Sequence, residues 1–323
     1  MNIVEINRGV FTMNRAQIVF KAIDGICYPT QNMMRFSNVV CEKDISYDTA
    51  ELTKGDLYYR KDIVNDGKKH PLILYYHGGG FIMGDKKCRV SISEFYANQG
   101  YFVFCVNYRM PPERIFPEYT FDCVNAANYI TILAQKHNID LDNLVITGDS
   151  SGGYTASYIE ALSCNPWLVE KLGCPQLQVS FKGAMLMCGI YDLDVLLKGT
   201  TLLGVIPKTA QLIVGDFPLK KDLSNIKEYP YIDYLSPSSF VNEKWCSTFM
   251  CWANDDIVCQ NQGEPMAEKI KAVAPYFDMY DVDGFINNHC FHLEFSHNKL
   301  AMECMQKSVE FLKHIFEKET VIV

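Results

Sequence analysis

The stretch Asn143-Leu-Val-Ile-Thr-Gly-Asp-Ser-Ser-Gly-Gly153 decides the fold. Its first half is a short apolar, β-branched run of the kind that forms a strand. Gly148-Asp-Ser-Ser-Gly152 follows without a break, and small residues then open a stretch of helical period at Ser151-Gly152-Gly153. A serine in a Gly-x-Ser-x-Gly turn between strand and helix presents its hydroxyl on a strained backbone. Gly148 and Gly152 are needed because the two backbones come too close there for side chains. The pentapeptide alone occurs by chance in about one chain in ten of this length, so its strand–turn–helix setting carries the reading.

A second glycine motif lies upstream, where His77-Gly78-Gly79-Gly80 closes the apolar run Leu72-Ile-Leu-Tyr-Tyr76. Consecutive glycines let the backbone turn with no Cβ in the way and leave amide N–H groups free to face a cavity. Beside a serine nucleophile, such amides form an oxyanion hole. The pair of motifs is the equipment of acyl transfer.

Further runs rich in β-branched and aromatic residues fall at 44–50, 56–61, 71–76, 101–107, 143–147, 182–190, 247–252 and 276–282. The later ones are almost continuously apolar, as in strands covered on both faces. Stretches of helical period separate them at 119–136, 151–163, 263–273 and 297–317. The alternation predicts an α/β architecture with a mostly parallel, eight-stranded sheet flanked by helices. The first two runs are joined too briefly for a crossover, which predicts an antiparallel hairpin at that edge. Residues 1–43, with a helical-looking stretch at 13–25, precede the first strand. Residues 191–240 interrupt the rhythm with Tyr191, Leu193, Val195, Leu196, Leu197, Leu202, Leu203, Ile206, Leu212 and Phe217. A long insertion of this kind is usually a lid or binding loop.

Composition bounds the partners. The chain has 323 residues, 48% hydrophobic and 21% charged, with a net charge of −8. That balance fits a globular core and argues against nucleic acid, whose phosphates need a basic surface. No apolar stretch reaches the roughly 18 residues of a membrane span, and Met1-Asn-Ile-Val-Glu-Ile-Asn-Arg8 lacks a secretory apolar core. The 13 cysteines are odd in number and contain no Cys-x-x-Cys. They read as buried reduced thiols in a cytoplasmic protein. A homo-oligomer is compatible with the sequence.

A serine hydroxyl needs a general base, itself oriented by a carboxylate. On this kind of elbow the order is serine, then acid, then histidine. His289 and His292 lie in the loop after the last strand, at the same sheet edge as Ser150, where open α/β sheets place their sites. His289 is the favoured base and His292 the alternative, while His297 and His314 fall with the last helical stretch as surface or packing residues. Asp255 and Asp256 both follow the strand at 247–252, and spacing does not choose between them. The i, i+3 pair His289 and His292 has no obvious partner set for a metal, and no organic cofactor is called for.

These motifs resemble those of the hormone-sensitive-lipase-like branch of the α/β-hydrolases, from about residue 70 to the C-terminus. His77-Gly-Gly-Gly-Phe-Ile-Met-Gly84 is similar to that branch's oxyanion segment. Tyr108-Arg-Met-Pro-Pro-Glu-Arg-Ile-Phe-Pro117 resembles its Tyr-Arg-Leu-Ala-Pro-Glu-His-x-Phe-Pro segment, with Asp122-Cys123 beyond. Gly148-Asp-Ser-Ser-Gly-Gly153 resembles its Gly-Asp-Ser-Ala-Gly-Gly elbow. The resemblance implies an α/β-hydrolase catalytic domain over 44–323, with 1–43 and the insertion 191–240 forming a helical cap. Its Gly-x-Asp-x-Leu pattern, laid on Asn254-Asp-Asp-Ile-Val258, selects Asp256. Its His-Gly-Phe selects His289, with Cys290 in place of the glycine. It implies an oxyanion hole from the amides of Gly79, Gly80 and Ser151, with His77 bracing the loop. The implied activity is serine carboxylesterase action on small acyl or aryl esters. An amidase or peptidase of the same fold, or a non-catalytic ligand-binding homologue, are the alternatives.

Overall fold

A computed structural model describes residues 15–64, 66–198, 206–284 and 288–317. Eight strands form one sheet: β1 (Val39–Ser46), β2 (Lys54–Arg60), β3 (His70–Tyr76), β4 (Phe102–Val106), β5 (Ile139–Asp149), β6 (Gly183–Met187), β7 (Ser247–Ala253) and β8 (Phe277–Val282). Their spatial order is β1-β2-β4-β3-β5-β6-β7-β8. β1 pairs with β2, and β2 with β4, in antiparallel fashion; every other pair is parallel. The expected antiparallel edge on a mostly parallel sheet is therefore present.

The central strands are apolar throughout because both faces are covered. Leu72, Leu74 and Tyr76 of β3, with Phe102, Phe104, Leu144 and Ile146 of its neighbours, point into one core. Ile73, Tyr75, Val103, Cys105 and Val145 point into the other. This is strand alternation with apolar residues in both registers. Helices α3 (Tyr119–Lys136), α4 (Ser151–Cys164) and α8 (Gly263–Lys271) line the first core through residues such as Ile130, Tyr158 and Ile270. Helices α2 (Val90–Asn98) and α9 (Lys299–Glu317) line the second through Ile92, Phe95, Met305 and Leu312.

Three differences from the sequence reading have physical causes. The first strand runs over 39–46, not 44–50. Asp44 takes a positive φ of 57° at a register shift between Glu42 and Ile45, and Asp48 folds residues 47–53 into a turn by accepting the Thr49 amide at 2.7 Å. Helix α2 escaped notice because it is buried nearly all round, including Ser91, Ser93 and Glu94, and so carries no amphipathic stripe. Its Glu94 takes two hydrogen bonds from Arg35 and one from the Phe36 amide. A short helix α5 (Pro166–Leu172) also went unread, despite a proline at its start and a left-handed Gly173 at its end.

The helical-looking N-terminal stretch is helix α1 (Arg15–Gln31). Among its described residues, segment 191–240 holds α6 (Leu193–Lys198), α7 (Ile206–Val214) and three single-turn 3₁₀ segments. Leu202 and Leu203, named in the sequence reading, lie outside the described residues, as do residues 1–14. α1 packs against α7, which brings the two candidate cap segments together. Among the described residues no helix is long and apolar enough to cross a membrane. All thirteen cysteines are free thiols, and ten of them are buried.

Candidate active site

Loops leaving the carboxyl ends of β3, β5, β7 and β8 converge on one point of the sheet edge. Ser150 occupies the single step between β5 and α4, at φ +54° and ψ −122°. A non-glycine residue in that region costs on the order of 1–3 kcal/mol, and close packing of the flanking backbone enforces it. A Cβ on Gly152 would overlap the Tyr76 carbonyl oxygen and lie 2.7 Å from the backbone of His77. The Ser150 amide donates to the Met187 carbonyl at 3.0 Å, tying the elbow to β6. The hydroxyl thus stands at the N-terminus of a 14-residue helix, whose dipole favours negative charge.

The structure brings Ser150, His289 and Asp256 into one hydrogen-bonded line. His289 Nδ1 donates to Asp256 Oδ2 at 2.8 Å, and the Ser150 hydroxyl lies 2.8 Å from Nε2. A carboxylate can only accept, so in the neutral ring the proton sits on Nδ1 and the Nε2 lone pair faces Ser150. The other oxygen of Asp256 accepts the amides of Val258 and Cys259, each at 2.7 Å, which fixes the carboxylate's direction.

Burial raises the Asp256 pKa, but the His289 charge and these hydrogen bonds draw it net below its ordinary value. Burial likewise disfavours an imidazolium at 289. The Asp256 carboxylate outweighs that and holds the His289 pKa well above the ordinary histidine value.

The competing residues are elsewhere occupied. Asp255 accepts the Gly284 amide at 3.1 Å, on the exposed side of the loop. His292 is fully buried; its Nδ1 faces the Cys188 thiol at 3.6 Å, and burial pushes its pKa down to about 3. His314 stacks on Tyr276 with ring centroids 3.9 Å apart, and His297 sits beside Glu294 and Ser296.

The glycine loop runs against the elbow. A Cβ on Gly78 would come within 3.0 Å of the Ser150 Cβ. Gly79 takes φ +151°, where an added Cβ would collide with the Met83 carbonyl, and its own carbonyl accepts the Met83 amide at 3.1 Å. The Gly79 and Gly80 amides make no hydrogen bond among the described residues. His77 is buried and stacks on Tyr108 at 4.8 Å, while its Nδ1 donates to the Gly78 carbonyl at 3.0 Å. Burial lowers its pKa, so it stays neutral.

Several supporting contacts were not read from the sequence. Arg89 and Tyr75 both bind Asp149, the residue before Ser150. A buried aspartate in Gly-Asp-Ser-Ser-Gly demands a partner, but its cation is 60 residues away in the chain and has no local signal. Tyr108 donates to the His77 carbonyl at 2.7 Å, and Arg109 clamps Asp122 through two side-chain hydrogen bonds of 2.8 and 2.6 Å. The Tyr108–Pro117 segment therefore braces the glycine loop from behind. Asn288 accepts the Ile257 and His289 amides and donates to the Asp255 carbonyl, stitching the acid loop to the histidine loop.

Known proteins match this chain in sequence and in fold. The BD-FAE family model matches residues 56–270, about two thirds of the chain. A tuliposide A-converting enzyme b1 of Tulipa gesneriana is 30% identical over 132 residues, covering 37% of this chain and 35% of the relative. Esterase LipI of Mycobacterium tuberculosis is 30% identical over 117 residues, covering 36% and 37%. The matched stretch thus spans about a third of the length of these curated relatives. Esterase B from Lactobacillus rhamnosis superposes with a TM-score of 0.80 at 18% identity, covering 94% of this chain and 96% of that one. That likeness identifies the fold as the α/β-hydrolase fold expected from the motifs. The chain belongs to the BD-FAE family and has the α/β-hydrolase fold.

Proposed function

We propose that this chain is a serine carboxylesterase in which Ser150 is the nucleophile, His289 the general base and Asp256 the residue that orients it. The observation that carries the reading is the His289 ring bridging Ser150 Oγ and Asp256 Oδ2 at 2.8 Å on each side. Esterase LipI and esterase B carry that activity in their names, which supports the assignment.

An ester carbonyl is attacked by the Ser150 oxygen as His289 Nε2 takes the hydroxyl proton. The carbonyl oxygen becomes an oxyanion, held by the amides of Gly79, Gly80 and Ser151. Each such donor is worth roughly 3–4 kcal/mol in the transition state. Asp256 stabilises the imidazolium without taking its proton. The C–O bond to the alcohol then breaks, and His289 returns the proton to the leaving oxygen. Water, deprotonated by the same ring, hydrolyses the acyl-enzyme and restores Ser150.

The substrate class we favour is small acyl or aryl esters. Phe81 follows Gly80 directly and packs edge-on against Tyr154 at 5.0 Å. It joins Tyr108, Met110, Pro111, Tyr119 and Thr155 around a small, mostly apolar cavity. Apolar side chains directly after the glycine loop favour an uncharged ester over a charged one. Segments 1–43 and 191–240 would form the two-part cap over it, as the packing of α1 on α7 supports.

The test is hydrolysis of p-nitrophenyl esters from acetate to decanoate, with Ser150→Ala as control. Turnover falling steeply beyond short chains is expected, and no turnover by the variant. Absence of turnover of any ester by the unsubstituted chain overturns the esterase assignment. Equal rates for Ser150→Ala overturn the nucleophile.

A further inference from the structure

Behind the nucleophile elbow lies a cluster of soft donors that the proposed ester chemistry does not use. Cys188 follows β6 immediately, Cys251 lies within β7, and His292 sits in the turn three residues after His289. All three are at most 1% exposed. The Cys188 amide donates to the Cys251 carbonyl at 2.8 Å, which locks the two thiols onto adjacent strands. Cys188 Sγ lies 3.6 Å from His292 Nδ1, and the three donor atoms all fall within 4.8 Å of one another. Cys251 Sγ lies 3.7 Å from Met187 Sδ, and the Cys290 thiol rests against that of Cys188.

The spacing of Cys188 Sγ and His292 Nδ1 is that of two ligands on one metal ion. Zinc bonded to sulfur at about 2.3 Å and to nitrogen at about 2.0–2.1 Å, at the tetrahedral angle, spaces those ligand atoms about 3.6 Å apart. The donor set selects the ion class: two thiolates with one imidazole favour a soft or borderline d¹⁰ cation over calcium or magnesium. Two backbone features point the same way. Cys188 and Cys290 both take positive φ, 47° and 57°, in the region that favours glycine, and their thiols meet, while the Cys290 thiol also faces Asp149 Oδ2 at 4.0 Å. Sequence reading dismissed a metal here because the His289 and His292 pair had no companions; the companions come from β6 and β7.

We propose that Cys188, Cys251 and His292 form a binding site for one thiophilic d¹⁰ cation of the zinc class. Binding displaces the thiol protons, because only thiolate ligates. The site shares its walls with the candidate catalytic residues. Met187, beside Cys188, accepts the Ser150 amide, and Cys290 follows His289.

The test titrates the reduced full chain with zinc against a chromophoric chelator, then repeats the loading with cobalt(II). One equivalent of zinc, with a thiolate-to-cobalt charge-transfer band, is expected. Cys188→Ala and Cys251→Ala should each weaken zinc binding by about 100-fold. Cys259→Ala should leave binding and band intact; it removes the thiol that clusters with Asp256 and His289. A cobalt spectrum of the unsubstituted chain without a thiolate band overturns the site, and that measurement needs no variant to fold. Loss of binding in Cys259→Ala, with retention in the other two, moves the ion to the triad and equally overturns it.

Discussion

Arg89 grips Asp149 with both arms of its guanidinium, Nε to Oδ1 at 2.7 Å and Nη2 to Oδ2 at 2.6 Å, with both residues buried. Tyr75 adds a third hydrogen bond to the carboxylate at 2.9 Å. Burial works against the charged aspartate, but the guanidinium outweighs it and holds the pKa at about 2. Removing the cation leaves a buried, uncompensated carboxylate one residue from Ser150. Arg89→Met should therefore destabilise the fold by about 3–5 kcal/mol, read as a shift of the urea midpoint. The double variant Arg89→Met/Asp149→Asn should recover part of that loss. A depressed carboxyl pKa stabilises the fold above its unfolded value, and that contribution is lost as pH falls toward 2. The double variant should accordingly show a flatter loss of stability between about pH 4 and 2.

The two adjacent aspartates should separate cleanly. Asp256→Asn keeps the shape but can donate where Asp256 only accepts, which turns the imidazole to the wrong tautomer. A loss of about 10⁴ in kcat is expected. Asp255→Asn keeps an oxygen to accept the Gly284 amide and should stay within a few-fold of the unsubstituted chain. Ester hydrolysis by both variants checks this, and the reverse ranking would reassign the acid.

Acid should switch the site off through His289. Only the neutral ring can accept the Ser150 proton, so kcat/KM rises with pH as the imidazolium deprotonates. The Asp256 carboxylate holds that pKa above its ordinary value of 6.5. The acidic limb of the kcat/KM profile is therefore expected above pH 6.5. A midpoint at or below 6.5 would mean that the pair interacts more weakly than its 2.8 Å contact implies.

Sequence reading captured what is local and periodic. Strands buried on both faces announce themselves as unbroken apolar runs, so β3 to β7 were found within a few residues. The elbow and glycine loop were legible because steric need writes glycine at fixed spacings. Long-range partnership was not legible. The pairing of Arg89 with Asp149, the Asn288 stitch and the meeting of Cys188 with His292 all join segments far apart in the chain. Helix α2 was missed because burial on every side erases the stripe that marks a surface helix. Between Asp255 and Asp256 the residues themselves were silent; only resemblance chose.

Cys290 tests whether a departure from the family pattern matters to the fold. It sits at φ +57°, where glycine is at ease and a side chain is strained. Cys290→Gly relieves that strain but gives up a buried thiol, two effects of about 1 kcal/mol each and opposite sign. Ester turnover within a few-fold of the unsubstituted chain and a Tm shift of only a few degrees are expected. A collapse in kcat with an unchanged Tm would show that the thiol itself holds His289 in line.

Gly152 and Gly25 should answer an added methyl in opposite ways, although both lie in helices. At Gly152 the new Cβ would meet backbone, the Tyr76 carbonyl oxygen and the carbonyl group of His77. Backbone at the end of β3 cannot rotate aside as a side chain can, so either the elbow opens or the glycine loop shifts. Both outcomes separate Ser150 from the Gly79 and Gly80 amides. Gly152→Ala should cost several kcal/mol, at the upper end for overpacking, and lower kcat by at least one oxyanion donor's worth, about 10²–10³. At Gly25, within α1, nothing lies within 4 Å of the built Cβ. Gly25→Ala should follow helix propensity alone, gaining up to about 1 kcal/mol with unchanged turnover. Urea unfolding and ester kinetics on the two variants separate steric necessity from propensity, and full activity in Gly152→Ala would refute the close-approach argument for the elbow.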